Sequence, residues 1–180
     1  MSSTIRFRRA TSSDVAALTS LVTSAYRGES SRSGWTTEAD LLDGERIAPE
    51  VLRADIERPD SHVIIAERPG DSTHELVACA HVARDEDAGY FGMFAVRPWL
   101  QGHGIGQAVL AEAERMTREE LGLERLRMTV IDVRLELIAW YERRGYHRTG
   151  EYLPFPYGDE RFGTPKRDDL RFVVLEKTLD

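Results

Sequence analysis

The sequence predicts an α/β fold of the α+β type: a mixed, mostly antiparallel sheet flanked by helices, in the order βααβββαβαββ. Three observations carry this. Segments 61–67, 75–84 and 89–96 read as strands and follow one another across short turns, so antiparallel pairing is the default. A long helix follows at 105–121, with Ile105, Val109, Ala113, Met116 and Leu121 on one face and Gly122 as its stop. A strand–helix–strand run comes next, which makes the sheet mixed.

Taken in order, residues 4–7 read as a first strand. Thr11 then caps a helix, and Asp14 three residues on completes a capping-box-like arrangement. Val15, Leu18, Val22, Ala25 and Tyr26 form the apolar face of that helix, which runs out at Gly28. Residues 29–49 are polar and broken by Gly34, Gly44 and Pro49, with a short helix expected over 37–42. A further helical piece, 50–57, ends before Pro59. Beyond the central strands and the long helix come a strand at 125–131, a helix at 136–144 closed by Gly145, and a strand at 146–152. The Pro- and Gly-containing stretch 153–165 leads to a last strand at 170–177. No repeat or long linker divides the chain, so one domain over residues 1–180 is expected.

Composition narrows the function. A hydrophobic share of 41% and a charged share of 31% fit an ordinary globular protein. The net charge of -7 argues against nucleic acid as the main ligand, because phosphate binding is driven by Lys and Arg. It leaves room for an anion held locally by main-chain donors, and weakly favours cationic substrates such as amines. No run approaches the ~20 apolar residues a membrane helix needs, and residues 1–14 lack the apolar region of a secretory signal. No membrane partner and a cytoplasmic location are therefore expected.

The single cysteine, Cys79, excludes an intramolecular disulfide. Its apolar surroundings point to a buried thiol, with a nucleophile based on His81, which shares its face on a strand, as the alternative. His62, His74, His81, His103 and His147 show no metal-ligand spacing, so no metal is expected.

The most informative stretch is Gln101-Gly102-His103-Gly104-Ile105-Gly106, between a strand ending at Val96 and the start of the long helix. Glycines there let main-chain N–H groups converge without a Cβ in the way. The unpaired N–H groups of the helix N-terminus point the same way, and the helix dipole adds positive potential. Together they form a socket for a pyrophosphate; a loop that merely turns the chain is the plain alternative. A dinucleotide fold would need G-x-G-x-x-G, whereas these glycines fall at 102, 104 and 106.

Gln101-x-x-Gly104-x-Gly106, after a V-x-P strand end, is similar to the Q/R-x-x-G-x-G/A signature of the GNAT superfamily of N-acetyltransferases. Ala139-Trp-Tyr141-Glu-Arg-Arg-Gly145-Tyr146 resembles that family's later Y-E-K-x-G-F motif, and the element order also looks like its fold. The resemblance implies acetyl-CoA as co-substrate. It places the pyrophosphate on the main chain of Gln101, Gly102, His103, Gly104, Ile105 and Gly106. It also implies that main-chain groups of Phe94, Ala95 and Val96 pair with the pantetheine arm and steady the thioester oxygen.

By the same resemblance Tyr141 protonates the departing thiolate, with core packing beside Leu137 and Ile138 as its other reading. Two positions depart from the family. Arg134 stands where the amide of an Asn is common and could still reach a CoA phosphate, and Tyr90 stands where some members carry a Glu base. The base is instead sought among Glu86, Asp85, Asp87, Glu29 and Glu38, with Glu86 put first.

Segments 29–49 and 153–169 match regions that frame the acceptor in the family. Trp35 and Tyr157, near Phe155, Phe162, Asp159 and Glu160, are candidates to hold an amine. Alternatively, these aromatics pin the loops or form a homodimer contact. The implied activity is transfer of an acetyl group to a primary amine of a small molecule, peptide or protein, by direct attack in a ternary complex. A non-catalytic acyl-CoA sensor or interaction module on the same fold is the alternative.

Overall fold

The structure is a computed structural model that describes residues 4–159, 161 and 163–180; Glu160 and Phe162 lie outside the described residues. The first strand, β1 (Arg6–Arg9), leads to a 3-10 turn at Ser12–Asp14. There the Thr11 N–H donates to Asp14 Oδ2 at 2.8 Å, as the capping box predicts. Helix α1 (Val15–Tyr26) follows, then a single turn, α2 (Gly28–Ser31), β2 (Leu42–Asp43) and α3 (Pro49–Glu57). The central strands are β3 (Ser61–Pro69), β4 (His74–Asp85) and β5 (Ala88–Val96). After them come α4 (Ile105–Glu119), β6 (Arg125–Ile131), α5 (Leu135–Glu142), β7 (His147–Pro154), β8 (Thr164–Pro165) and β9 (Arg171–Thr178).

Seven strands form one sheet in the order β1-β3-β4-β5-β6-β9-β7, antiparallel throughout except for the β5–β6 pair. Alternate strand residues feed two cores. Ile64, Ala80 and Val82 pack with α4 and α5 on one face, while Val63, Ile65 and Cys79 pack with α1 and α3 on the other. The apolar stripes read from sequence are buried as expected: Leu18 and Val22 of α1, and Val109 and Ala113 of α4, have no exposed surface.

Two local expectations change. Residues 37–42 form a single turn, closed by Leu41 and Leu42 N–H bonds to the Glu38 carbonyl at 2.8 and 2.9 Å, because Leu42 then leaves to pair with Pro165. That pairing makes a second, two-stranded sheet of β2 and β8, which the sequence pattern does not foretell. It ties the two long segments together, and the Lys166 ammonium, donating to the Ala39 carbonyl at 2.6 Å, reinforces the tie.

The feature that positions the site is a wedge in the sheet. Strands β5 and β6 pair only at Gly89↔Leu126 and Tyr90↔Arg127, and from there they part. At the closed end, a Cβ on Gly89 would lie 2.7 Å from Thr117 Cγ2, so only glycine lets α4 pack so closely onto the strand. At the open end β5 is bulged against β4: Cys79 faces Ala95 and His81 faces Gly92, and Met93 takes the left-handed φ of 48°. A bulge bends its strand and increases its twist, which turns β5 away from β6.

Cys79 is fully buried, and burial pushes its thiol up to about 12, so it remains a protonated core group and the nucleophile alternative falls. His81 is also buried, with Nε2 2.7 Å from Ser61 Oγ and its ring edge-on to Tyr90. Burial lowers its affinity for a proton, Arg58 and His62 add to this, and Asp55 opposes it only in part. The unfolded chain therefore protonates first. Stability is full above the ordinary histidine value of about 6.5 and falls as pH drops below it. His81→Gln, which can still bond Ser61, should flatten the loss of melting temperature between about pH 6.5 and 5.5; an unchanged slope would assign it to other groups.

Candidate functional site

The chain leaves β5 at Val96, makes a 3-10 turn at Pro98–Leu100, and enters α4 through Gly102 and Gly104, whose φ values are 82° and 84°. Both glycines face open space, with nothing within 4 Å of where a Cβ would stand. Among the described residues, the first N–H to find a main-chain acceptor is that of Ala108, bonded to the Gly104 carbonyl at 3.1 Å. The N–H groups of Gly102 through Gln107 have no partner within the described chain. Such a concentration of free donors at a helix N-terminus is an anion cradle. At Gly106 a Cβ would come 3.2 Å from Phe94 Cζ, so this glycine holds α4 against the edge of β5.

Gln101 has a further role. Its Oε1 accepts from the N–H groups of Trp35 and Thr36 at 2.8 and 3.3 Å, and its Nε2 donates to Thr36 Oγ1 at 2.8 Å and the Val96 carbonyl at 3.2 Å. A Cβ on Gly34 would sit 2.5 Å from that side chain. The glutamine thus locks segment 34–36 over the cradle. His103 Nδ1 closes the turn on the Leu100 and Gln101 carbonyls at 3.1 and 3.0 Å.

A cavity of about 640 Å³ opens along the cradle, with Trp35, Thr36, Gln107, Trp140, Arg143 and Arg144 around it. The Arg144 guanidinium lies 3.7 Å from the Trp140 ring centroid. A second cavity, of about 680 Å³, lies on the other side of the wedge and shares the walls Tyr26, Phe94 and Leu137 with the first. Tyr141 lines this second cavity, its ring edge-on to Trp140 and Tyr146 at 5.1 and 5.8 Å. Burial raises its pKa well above the ordinary tyrosine value, with Arg134 opposing, so the phenol holds its proton at neutral pH.

The floor between the cavities is charged. The Tyr26 hydroxyl donates to the Phe94 carbonyl, and the guanidiniums of Arg46 and Arg134 lie 5.3 and 5.6 Å from its ring centroid. Glu38, 4% exposed, accepts from Arg27 through Oε2 and from Arg134 through Oε1, the latter at 2.9 Å. Burial alone would raise its carboxyl, but Arg134, Arg46 and Arg27 outweigh that and hold it below the usual range.

The structure gathers Phe94, Val96, Gln101, Gly102, Gly104, Gly106 and Trp35 around the first cavity. Ala95 and Ile105 turn their side chains into the two cores, and the His103 side chain is exposed beside the cradle. Arg134 lines the second cavity, its guanidinium held by Glu38 and the Thr36 carbonyl. Trp35, sought as an acceptor residue, stands instead on the cradle side, 6.4 Å from the Trp140 ring. Glu86 lines the second cavity from the β4–β5 turn. Tyr157 lines neither cavity: its hydroxyl donates to the Arg167 carbonyl and accepts from the Leu170 N–H, each at 2.9 Å, so it pins its loop.

Sequence reasoning missed Tyr26, Thr36, Arg46, Trp140, Arg143 and Arg144. Tyr26 was hidden in the apolar stripe of α1, and Arg46 lies in no motif. Trp140, Arg143 and Arg144 flank Tyr141 within the quoted motif and could have been taken from it. Among the described residues no group of three or more His, Cys, Asp and Glu could hold a metal ion, and no helix is long and apolar enough to cross a membrane.

The sequence model described as Acetyltransferase (GNAT) family matches residues 16–146. Searched against curated proteins, the chain finds no match. Among solved structures it is similar to a ribosomal-protein-alanine N-acetyltransferase from Brucella melitensis: 21% identity, TM-score 0.69, 97% of this chain and 99% of that one. An N-acetyltransferase from Staphylococcus aureus Mu50 superposes with TM-score 0.70 at 12% identity, over 98% of both chains. The ribosomal-protein-S18-alanine N-acetyltransferase from Escherichia coli gives 0.68 at 14% identity, over 98% of this chain and 95% of that one. At such identities these structures establish a shared fold.

Glu38 is bonded to both Arg27 and Arg134. Glu38→Leu would leave buried guanidiniums without it and should cost about 3–5 kcal/mol of stability. Urea unfolding measures this directly; a loss under about 1 kcal/mol would mean that solvent reaches the cluster.

Proposed function

The chain belongs to the GNAT acetyltransferase family and is an N-acetyltransferase, and from that premise we propose that it transfers an acetyl group from acetyl-CoA to a primary amine by direct attack, as one domain over residues 1–180. One observation carries the proposal. Unpartnered amides from Gly102 to Gln107 open into a cavity that meets, across Phe94 and Leu137, a second cavity containing Tyr141.

The residues present fit the donor. The free amides and the helix dipole suit a pyrophosphate, and Arg143 and Arg144 add cations at the same cavity. The edge of β5 from Phe91 to Val96, which β6 does not pair, suits an extended chain lying in the wedge. Bound there, acetyl-CoA supplies a thioester-activated acyl group. The protein orients it and excludes water between Trp35, Trp140 and Phe94.

Tyr141 holds a proton at its hydroxyl beside the shared wall, where a departing thiolate would need one. The amine must lose a proton before it attacks. Glu38 is a poor acceptor for it, being held ionised by three arginines. Glu86, with Asp85 and Glu151, stands exposed where the second cavity meets solvent and takes that role. Arg134 serves by fixing Glu38 and segment 36–38.

Tyr141→Phe should lower kcat about 10²–10⁴-fold while the KM for acetyl-CoA stays put, with thiol release as the readout. Gly104→Val forces φ of 84° on a β-branched residue and adds about 1–3 kcal/mol of strain, so the KM for acetyl-CoA should rise at least several-fold. Unaltered kinetics in both variants would sink the proposed site.

A further inference from the structure

Four guanidiniums line the second cavity, and three of them are matched. Arg27 and Arg134 share Glu38, and Arg127 pairs with Glu176 at 2.8 Å. Arg46, partly buried, makes no hydrogen bond and no ion pair among the described residues; its close neighbour is the face of Tyr26, at 5.3 Å. A ring face satisfies none of the five N–H donors of a guanidinium. Burial disfavours the Arg46 cation and the charge of Glu38 outweighs this without bonding it, so the guanidinium stays charged with its N–H donors open to a ligand.

The place of Arg46 gives these open donors a use. The Tyr26 hydroxyl reaches the Phe94 carbonyl on the edge where the cavities meet, so Arg46 lies one aromatic ring from the point of transfer. The other free charges of the cavity, Asp85, Glu86 and Glu151, are exposed carboxylates that form no ion pair with Arg46. An entering ammonium is drawn by these carboxylates, and an acidic group by the guanidinium fork behind it, which matches a planar carboxylate or a phosphonate. A polyamine would instead set a second cation against the charged guanidinium of Arg46.

Taking the acyl-transfer reading for where the amine must sit, we infer that Arg46 binds an anionic substituent of the acceptor, so that the substrate is a small amine carrying a compact oxyanion, as α-amino acids and aminophosphonates do.

The test titrates the protein calorimetrically, with and without CoA, using α-amino acids, aminophosphonates of the same side chains, and the matching amines that lack the acid. Thiol release from acetyl-CoA is measured with the same compounds. Acid-bearing compounds should bind, and react, about 10- to 100-fold better than the plain amines, and the better acid series identifies the oxyanion. Arg46→Gln should collapse that ratio and Arg46→Lys should restore part of it. A melting curve checks that each variant is folded; should Arg46→Gln not fold, the wild-type ratio and Arg46→Lys decide.

Equal binding of acid and plain amine, no binding by any acid, or a loss in Arg46→Gln that falls equally on both series would overturn the inference. Acid-selective binding without thiol release would uphold Arg46 and remove the transferase reading. Thiol release indifferent to the acid group would do the reverse.

Discussion

The parallel contact between β5 and β6 is two residue pairs long, and both cavities exist because it ends there. The closed end is fixed by Gly89, on which Thr117 of α4 sits too closely for any side chain. The open end is set by the bulge at Met93, where the β4–β5 register shifts by one residue and β5 twists away. Between these points the sheet has a gap with main-chain groups on its walls, and a gap in a sheet must be filled by something able to hydrogen-bond.

The charged floor keeps the two sides of the wedge in order. Tyr26 joins α1 to the edge of β5 through the Phe94 carbonyl, and Arg134 at the head of α5 reaches Glu38 and the Thr36 carbonyl. Gln101 holds the same segment from the far side through Trp35 and Thr36. Segment 34–38, polar and without regular structure, is thereby fixed at both ends by side chains from distant parts of the chain. Its order is tertiary, which is why its own sequence gives little sign of it.

The elements legible in the sequence are those whose signals are local. The α4 stripe and its Gly122 stop, the three central strands, and the capping box of Thr11 and Asp14 each announce themselves within a short stretch of sequence. The glycine cradle was legible for the same reason, since Gly102 and Gly104 take left-handed backbone that glycine alone adopts freely. The β2–β8 pair was not legible: two residues meet two others more than a hundred positions away, and neither has a strand pattern of its own. Nor was the side chosen by Trp35, which depends on how Gln101 seats its loop.

By itself the sequence determined the order of elements, the apolar faces that drive them together, and the glycine-rich start of α4, because periodicity, capping and glycine placement are written in short windows. Only the tertiary structure decided which arginine of the second cavity makes no ion pair among the described residues, that Tyr157 fastens a loop, and that Glu38 is locked as an ion among Arg27, Arg46 and Arg134. Charge pairing and burial are properties of neighbours in space. A residue's type says what it can bond, and the fold says whether anything is there to bond it.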